Sequence, residues 1–162
     1  MQANLQELKE TYSRQTYSVF SINRQQKIAD SQVTFSLAHS VFIIPVFGAA
    51  EITIGGNEFV CEGTTVVHVP AGQTVTYRTL YGRSFDHVNI YYDGIQGDVS
   101  SPIFNAYAFD PQGFDRILDK VLDLEKLNTT PSMDNRVAQI VNGTELIKSM
   151  FLLTNSQKVQ ES

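Results

Sequence analysis

The residues best suited to chemistry lie on alternate positions of one strand-like run. From Phe85 to Tyr92 the chain reads Phe-Asp-His-Val-Asn-Ile-Tyr-Tyr. Strand side chains alternate between faces, so Phe85, His87, Asn89 and Tyr91 share one face while Val88, Ile90 and Tyr92 share the other. The first set offers donors and acceptors on stiff stems without fixed charge. A few such groups in a mostly apolar cavity make a site for a small molecule. The plainer assignment buries Val88 and Ile90 and leaves His87 and Asn89 on the surface. Periodicity alone does not choose between the two.

The remaining reactive types read as structural. The chain has three histidines (His39, His68 and His87) and one cysteine, Cys61. A metal centre needs several convergent ligands, and no two of these histidines stand in pair spacing, so no metal and no cofactor are expected. His39 and His68 read as hydrogen-bonded structural residues and Cys61 as a small hydrophobe. Asp115, Asp119, Asp123 and Glu125 read as a solvated helix face. Neither a nucleophile elbow nor a phosphate-binding loop occurs. No catalytic residue stands out, and the chain is not expected to be an enzyme.

The elements that would position Phe85, His87, Asn89 and Tyr91 are short strands. Glycines at 48, 55–56, 63, 72, 82 and 94 punctuate β-branched and aromatic runs of period two, the pattern of an all-β barrel or sandwich. Strands are expected at Tyr17–Ile22, Gln26–Phe35, Val41–Phe47 and Phe85–Tyr92, with a last one within Ile103–Phe109. Pro45 makes the apolar run at Val41–Phe47 an edge strand or marks a bulge. After Pro111 the period becomes helical, through Phe114, Ile117, Leu118, Val121, Leu122 and Leu124. A second helix begins near Ser132. Its apolar arc is wider than one contact face requires and points to a second copy of the chain. Gly143 interrupts it as a close crossing or a weak point, with the weak point ahead. The domain reading is therefore 1–16 as an N-terminal arm or short helix and 17–109 as the barrel. Residues 110–154 form a two-helix dimerisation hairpin, and 155–162 begin a linker.

Composition excludes several classes. At 162 residues, 42% hydrophobic and 18% charged, the chain is globular. A net charge of −5 gives it no electrostatic grip on nucleic acid. The polar N-terminus is unlike a signal peptide, and the longest apolar run, Val41 to Ala50, is far below the ~20 residues of a membrane span. A cytoplasmic protein without membrane contact is expected.

The central stretch carries a family resemblance. Gly56-Asn57-Glu58-Phe59-Val60-Cys61, followed by Gly63, Val66–Val69, Pro70 and Gly72, and later Ile103-Phe104-Asn105-Ala106 with Phe109, resembles the ligand-binding and dimerisation domain of AraC-family transcription regulators. The resemblance covers about residues 17–154. It implies a mainly β, cupin-like double-stranded β-barrel followed by two antiparallel α-helices, and a homodimer through those helices. DNA would be contacted only through a domain this chain does not contain. It also implies an effector in the barrel, held by Tyr77, His87 and Asn89 with Tyr91 and Phe85 nearby, and Val88 and Ile90 turned outward beneath the helices. Residues 1–20 would then be able to fold over the ligand. Lacking an arginine in the pocket, the site suits a neutral polar metabolite, such as a sugar or polyol, better than a carboxylate. Tryptophan is absent, so a tyrosine or Phe85 would have to serve as a sugar platform. Two other readings stand beside this one. One is a stand-alone cupin enzyme, an isomerase or dioxygenase, working through His87 and Tyr91. The other is a structural dimerisation module with a plugged lumen.

Overall fold

A computed structural model describes residues 5–14, 16–94, 105–152 and 154–161. Two antiparallel sheets face each other, and three helices cover the back of the larger one. The strands are β1 (Tyr17–Lys27), β2 (Gln32–Ser36), β3 (Ser40–Phe47), β4 (Ala50–Ile54), β5 (Asn57–Cys61), β6 (Val66–Val69), β7 (Thr74–Thr79), β8 (Phe85–Gly94), β9 (Tyr107–Pro111) and β10 (Thr154–Glu161). The helices are α1 (Leu5–Arg14), α2 (Phe114–Lys126) and α3 (Met133–Leu152). One sheet has the order β1-β8-β3-β6-β9-β10 and the other β2-β7-β4-β5. The expected closed barrel is thus a two-sheet sandwich, with no ladder joining the sheets among the described strands. The expected pair of helices is a set of three.

Alternation along the strands makes two cores. One lies between the sheets, where Val41, Ile43, Val67, Val69, Phe85 and Ala108 meet Ala50, Ile52, Ile54, Phe59, Val75 and Tyr77. The other lies between the six-stranded sheet and the helices, where Phe42, Ile44, Val66, Val88, Ile90 and Tyr92 meet Leu8, Ile117, Val121, Ile147 and Phe151. Val88 and Ile90 therefore do lie beneath the helices. Helix α1 buries Leu8 and Tyr12 in that second core, the Tyr12 ring stacked 4.4 Å from Phe151. It docks on the far side of the sheet from the inter-sheet space rather than over it.

Three local features bear on the site. Strand β3 lies inside its sheet, between β8 and β6, and Pro45 sits where its register against β8 shifts, so the proline marks a bulge and not an edge. Strand β1 continues to Lys27, five residues past its expected end, and a turn at Ile28–Ser31 divides the run expected as a single strand. Its register against β8 shifts between Val19 and Ser21. Gly143 lies against β1, where an added Cβ would stand 3.1 Å from both Ile22 Cδ1 and Val19 Cγ2. It marks a close helix-to-sheet approach, contrary to the weak-point expectation. Helix α3 starts as expected: Ser132 Oγ accepts a hydrogen bond from the Asn135 amide at 3.1 Å. The stretch read as a linker is strand β10 through Glu161, paired with β9. Ile103 and Phe104 of the expected last strand lie outside the described residues.

Candidate functional site

The site grows from β8 and β1, adjacent strands of the six-stranded sheet. On β8, Phe85, His87, Asn89 and Tyr91 project into the space between the sheets. Phe85 and His87 are fully buried, Asn89 nearly so, and Tyr91 partly. Tyr77 reaches the same space from β7, its ring 5.4 Å from His87. All five residues expected at a lumen site thus share one interior. The structure adds two from β1 that the sequence reading left out, Gln25 and Lys27.

These side chains form a closed ring of hydrogen bonds. Lys27 Nζ donates to Gln25 Oε1 at 3.0 Å and lies 3.0 Å from His87 Nε2. His87 Nδ1 is 2.8 Å from Asn89 Oδ1. Asn89 Nδ2 and Gln25 Nε2 both donate to the Tyr91 hydroxyl, at 2.9 and 3.1 Å. An ammonium only donates, so Nε2 of His87 is the acceptor and its Nδ1–H donates to Asn89. Proton directions run from Lys27 round both arms of the ring to Tyr91.

Electrostatics single out Lys27. It is 7% exposed, and its ammonium lies 4.6 Å above the Tyr77 ring and 5.3 Å from that of Phe35. Its hydrogen-bond partners are neutral. Burial lowers its pKa to about 8, and His87 is lowered to about 4, first by burial and then by the neighbouring Lys27 charge. A buried cation is ordinarily paired with an anion. Here aromatic faces and neutral acceptors replace one.

Lys27 was hidden by the bulge at Phe20. With unbroken alternation from Tyr17 and Val19, both in the helix-side core, Lys27 would face the helices. The extra residue moves every later side chain of β1 to the opposite face. Ile22 then joins the helix-side core, and Gln25 and Lys27 enter the lumen. Phe20 is held outside, stacked 4.1 Å from His39 with Arg136 5.8 Å from its ring. The remaining types sit as expected. His39 pairs with Asp93, His68 is buried and hydrogen-bonded, and the buried Cys61 thiol is 3.4 Å from the Thr65 carbonyl. Among the described residues no group of three or more His, Cys, Asp or Glu is placed to hold a metal ion. No described helix is long and apolar enough to cross a membrane.

Solved structures similar to this chain are cupin-fold proteins. The chain is similar to unsaturated-fatty-acid-bound ToxT from Vibrio cholerae, an AraC-family regulator, at TM-score 0.53 and 11% identity over 85% of this chain and 53% of that one. It is also similar to EutQ of Clostridium difficile, at TM-score 0.41 and 12% identity over 47% of this chain and 57% of that one. A third is the cupin domain of Cnp3 from Schizosaccharomyces pombe, at TM-score 0.41 and 14% identity over 48% and 62%. At these identities the likeness is one of fold. The chain spans little more than half the length of EutQ and ToxT. No family model and no curated protein matches the sequence.

Proposed function

We propose that this chain is the effector-sensing and dimerisation domain of an AraC-type transcription regulator, acting in the cytoplasm. Its effector is a small molecule whose carboxylate is held by Lys27 between the two sheets. The observation that carries the reading is the buried Lys27 ammonium, whose partners are the neutral Gln25 and His87 and the ring faces of Tyr77 and Phe35. The expectation of a neutral polar ligand assumed that no cation reaches the pocket, and Lys27 removes that premise. A carboxylate at Nζ completes the missing pair through a charge-assisted hydrogen bond. Apolar substituents would then lie against Ile43, Ile52 and Val75. The ligand named for ToxT, an unsaturated fatty acid, has this combination of acid head and apolar body. Contact with DNA belongs to a domain outside this chain. The enzyme alternative requires a substrate to be turned over at His87.

Titration calorimetry with decanoate, decanol and arabinose tests the assignment. Decanoate is expected to bind, decanol at least about tenfold more weakly because it lacks the charge, and arabinose not at all. Binding of arabinose without decanoate would restore the neutral ligand and overturn this one.

A further inference from the structure

A second buried polar chain lies behind the six-stranded sheet, and the lumen site does not use it. Tyr107 donates its hydroxyl proton to Tyr12 at 2.9 Å. The Tyr12 and Tyr92 hydroxyls are 2.7 Å apart, and the Tyr92 hydroxyl is 2.6 Å from His68 Nε2. His68 Nδ1 is 2.8 Å from the Asn105 carbonyl oxygen. A carbonyl only accepts, so Nδ1 carries the proton and Nε2 accepts from Tyr92. Tyr92 must then accept from Tyr12, and Tyr12 from Tyr107. Burial holds the three phenols well above their usual range and lowers His68 to about 3, so no member carries charge at neutral pH. One backbone carbonyl sets the direction of four links. The buried Asn105 side-chain amide nitrogen has no partner of its own among the described residues.

We propose that this chain makes the docking of helix α1 depend on what occupies the space between the sheets. The inference rests on the lumen being the effector site. Each sheet member of the chain is the immediate neighbour of a lumen residue on the same strand or its lead-in. Tyr92 follows Tyr91 of the Lys27 ring, His68 follows Val67, and Tyr107 follows Ala106. Tyr12 is the contribution of α1, and its ring also stacks on Phe151 at the end of α3. A lumen occupant that moves Tyr91 moves Tyr92 with it on the same strand. The Tyr12–Tyr92 bond is then stretched or lost, and α1 loses one of its polar ties to the sheet, the others being those of Tyr12 to Tyr107, Tyr17 and His68. Interior groups respond this way because packed, fully hydrogen-bonded networks shift between discrete arrangements. The N-terminal helix therefore reports on the lumen from the opposite side of the sheet, without covering its mouth.

The test is amide hydrogen exchange of α1 in the ligand-free chain, for wild type, Lys27→Met, Tyr12→Phe and the double variant. Lys27→Met breaks the lumen ring and touches nothing on the helix side. It is expected to change α1 exchange by about fivefold or more in the wild-type background. In the Tyr12→Phe background it is expected to change it by less than about twofold. Tyr92→Phe breaks the chain without altering α1 and is expected to abolish the response equally, which keeps the test decisive if Tyr12→Phe undocks the helix. Tyr107→Phe leaves the Tyr12–Tyr92–His68 links in place and is expected to retain it. An α1 that ignores Lys27→Met, or responds by the same factor with the chain broken, overturns the inference. No ligand enters this measurement, so its failure leaves carboxylate binding standing. A failure of decanoate to bind likewise leaves the exchange result standing.

Discussion

Lys27 and the two buried histidines govern how the protein responds to pH. An unfolded histidine titrates near ~6.5, while folding lowers His87 to about 4 and His68 to about 3. Between those values and ~6.5 the unfolded chain binds more protons than the folded one, so stability rises with pH and is lost on acidification. Each unit of displacement is worth about 1.4 kcal/mol once the group is charged. The urea midpoint is expected to fall steadily from pH 6.5 towards pH 4, and His87→Gln to reduce the slope in that interval. A flat midpoint would show that these imidazoles are not buried. The polar row at Phe85, His87, Asn89 and Tyr91 was legible from alternation and family resemblance together. Lys27 was not, because its placement depends on one extra residue at Phe20 that no composition or period announces. The choice of a neutral ligand followed from that omission.

At the scale of elements, the strand–turn pattern was readable because glycine and proline mark turns by steric necessity. Gly48 is the clearest case: its φ is +78°, and a Cβ there would run into the Ser84 carbonyl oxygen. Gly48→Ala is expected to cost at least about 2 kcal/mol in chemical denaturation. Helices α2 and α3 were legible from apolar spacing, but the meaning of Gly143 was not, since its neighbours Val19 and Ile22 belong to a distant strand. Gly143→Leu is expected to cost about 1–3 kcal/mol by overpacking that contact, with helix content by circular dichroism retained. An unchanged or raised midpoint would return Gly143 to a simple weak point. The role of α1 could not be read from residues 1–16, whose spacing allowed a docked helix or a free arm equally. Its anchoring depends on partners between 30 and 139 positions away, at Phe42, Tyr92 and Phe151.

At the scale of the whole molecule, three layers separate two tasks. The inner layer pair holds the proposed effector site, and the outer pair presents helices. Along α3, Met133, Val137 and Val141 recur at intervals of four and are 79%, 51% and 54% exposed, an apolar stripe that the other described residues leave uncovered. The dimerisation proposed above would use that stripe. Replacing Val137 and Val141 together by glutamate is expected to convert a dimer to a monomer in sedimentation at micromolar concentration. The thermal midpoint of the wild-type dimer should rise with protein concentration, and that of the variant should not. A wild-type chain that sediments as a monomer would contradict the assignment.

The central claim is a buried cation awaiting an anion, and the titration of Lys27 itself examines it most directly. Carbon-13 labelling at lysine Cε lets its resonance be followed by NMR from pH 6 to 12, without ligand and with saturating decanoate. The account predicts a free pKa of about 8. It predicts a bound value raised above the ordinary lysine range of about 10.4, since a carboxylate partner favours the charged amine. A Lys27 that titrates as an ordinary surface lysine and does not respond to decanoate would contradict it.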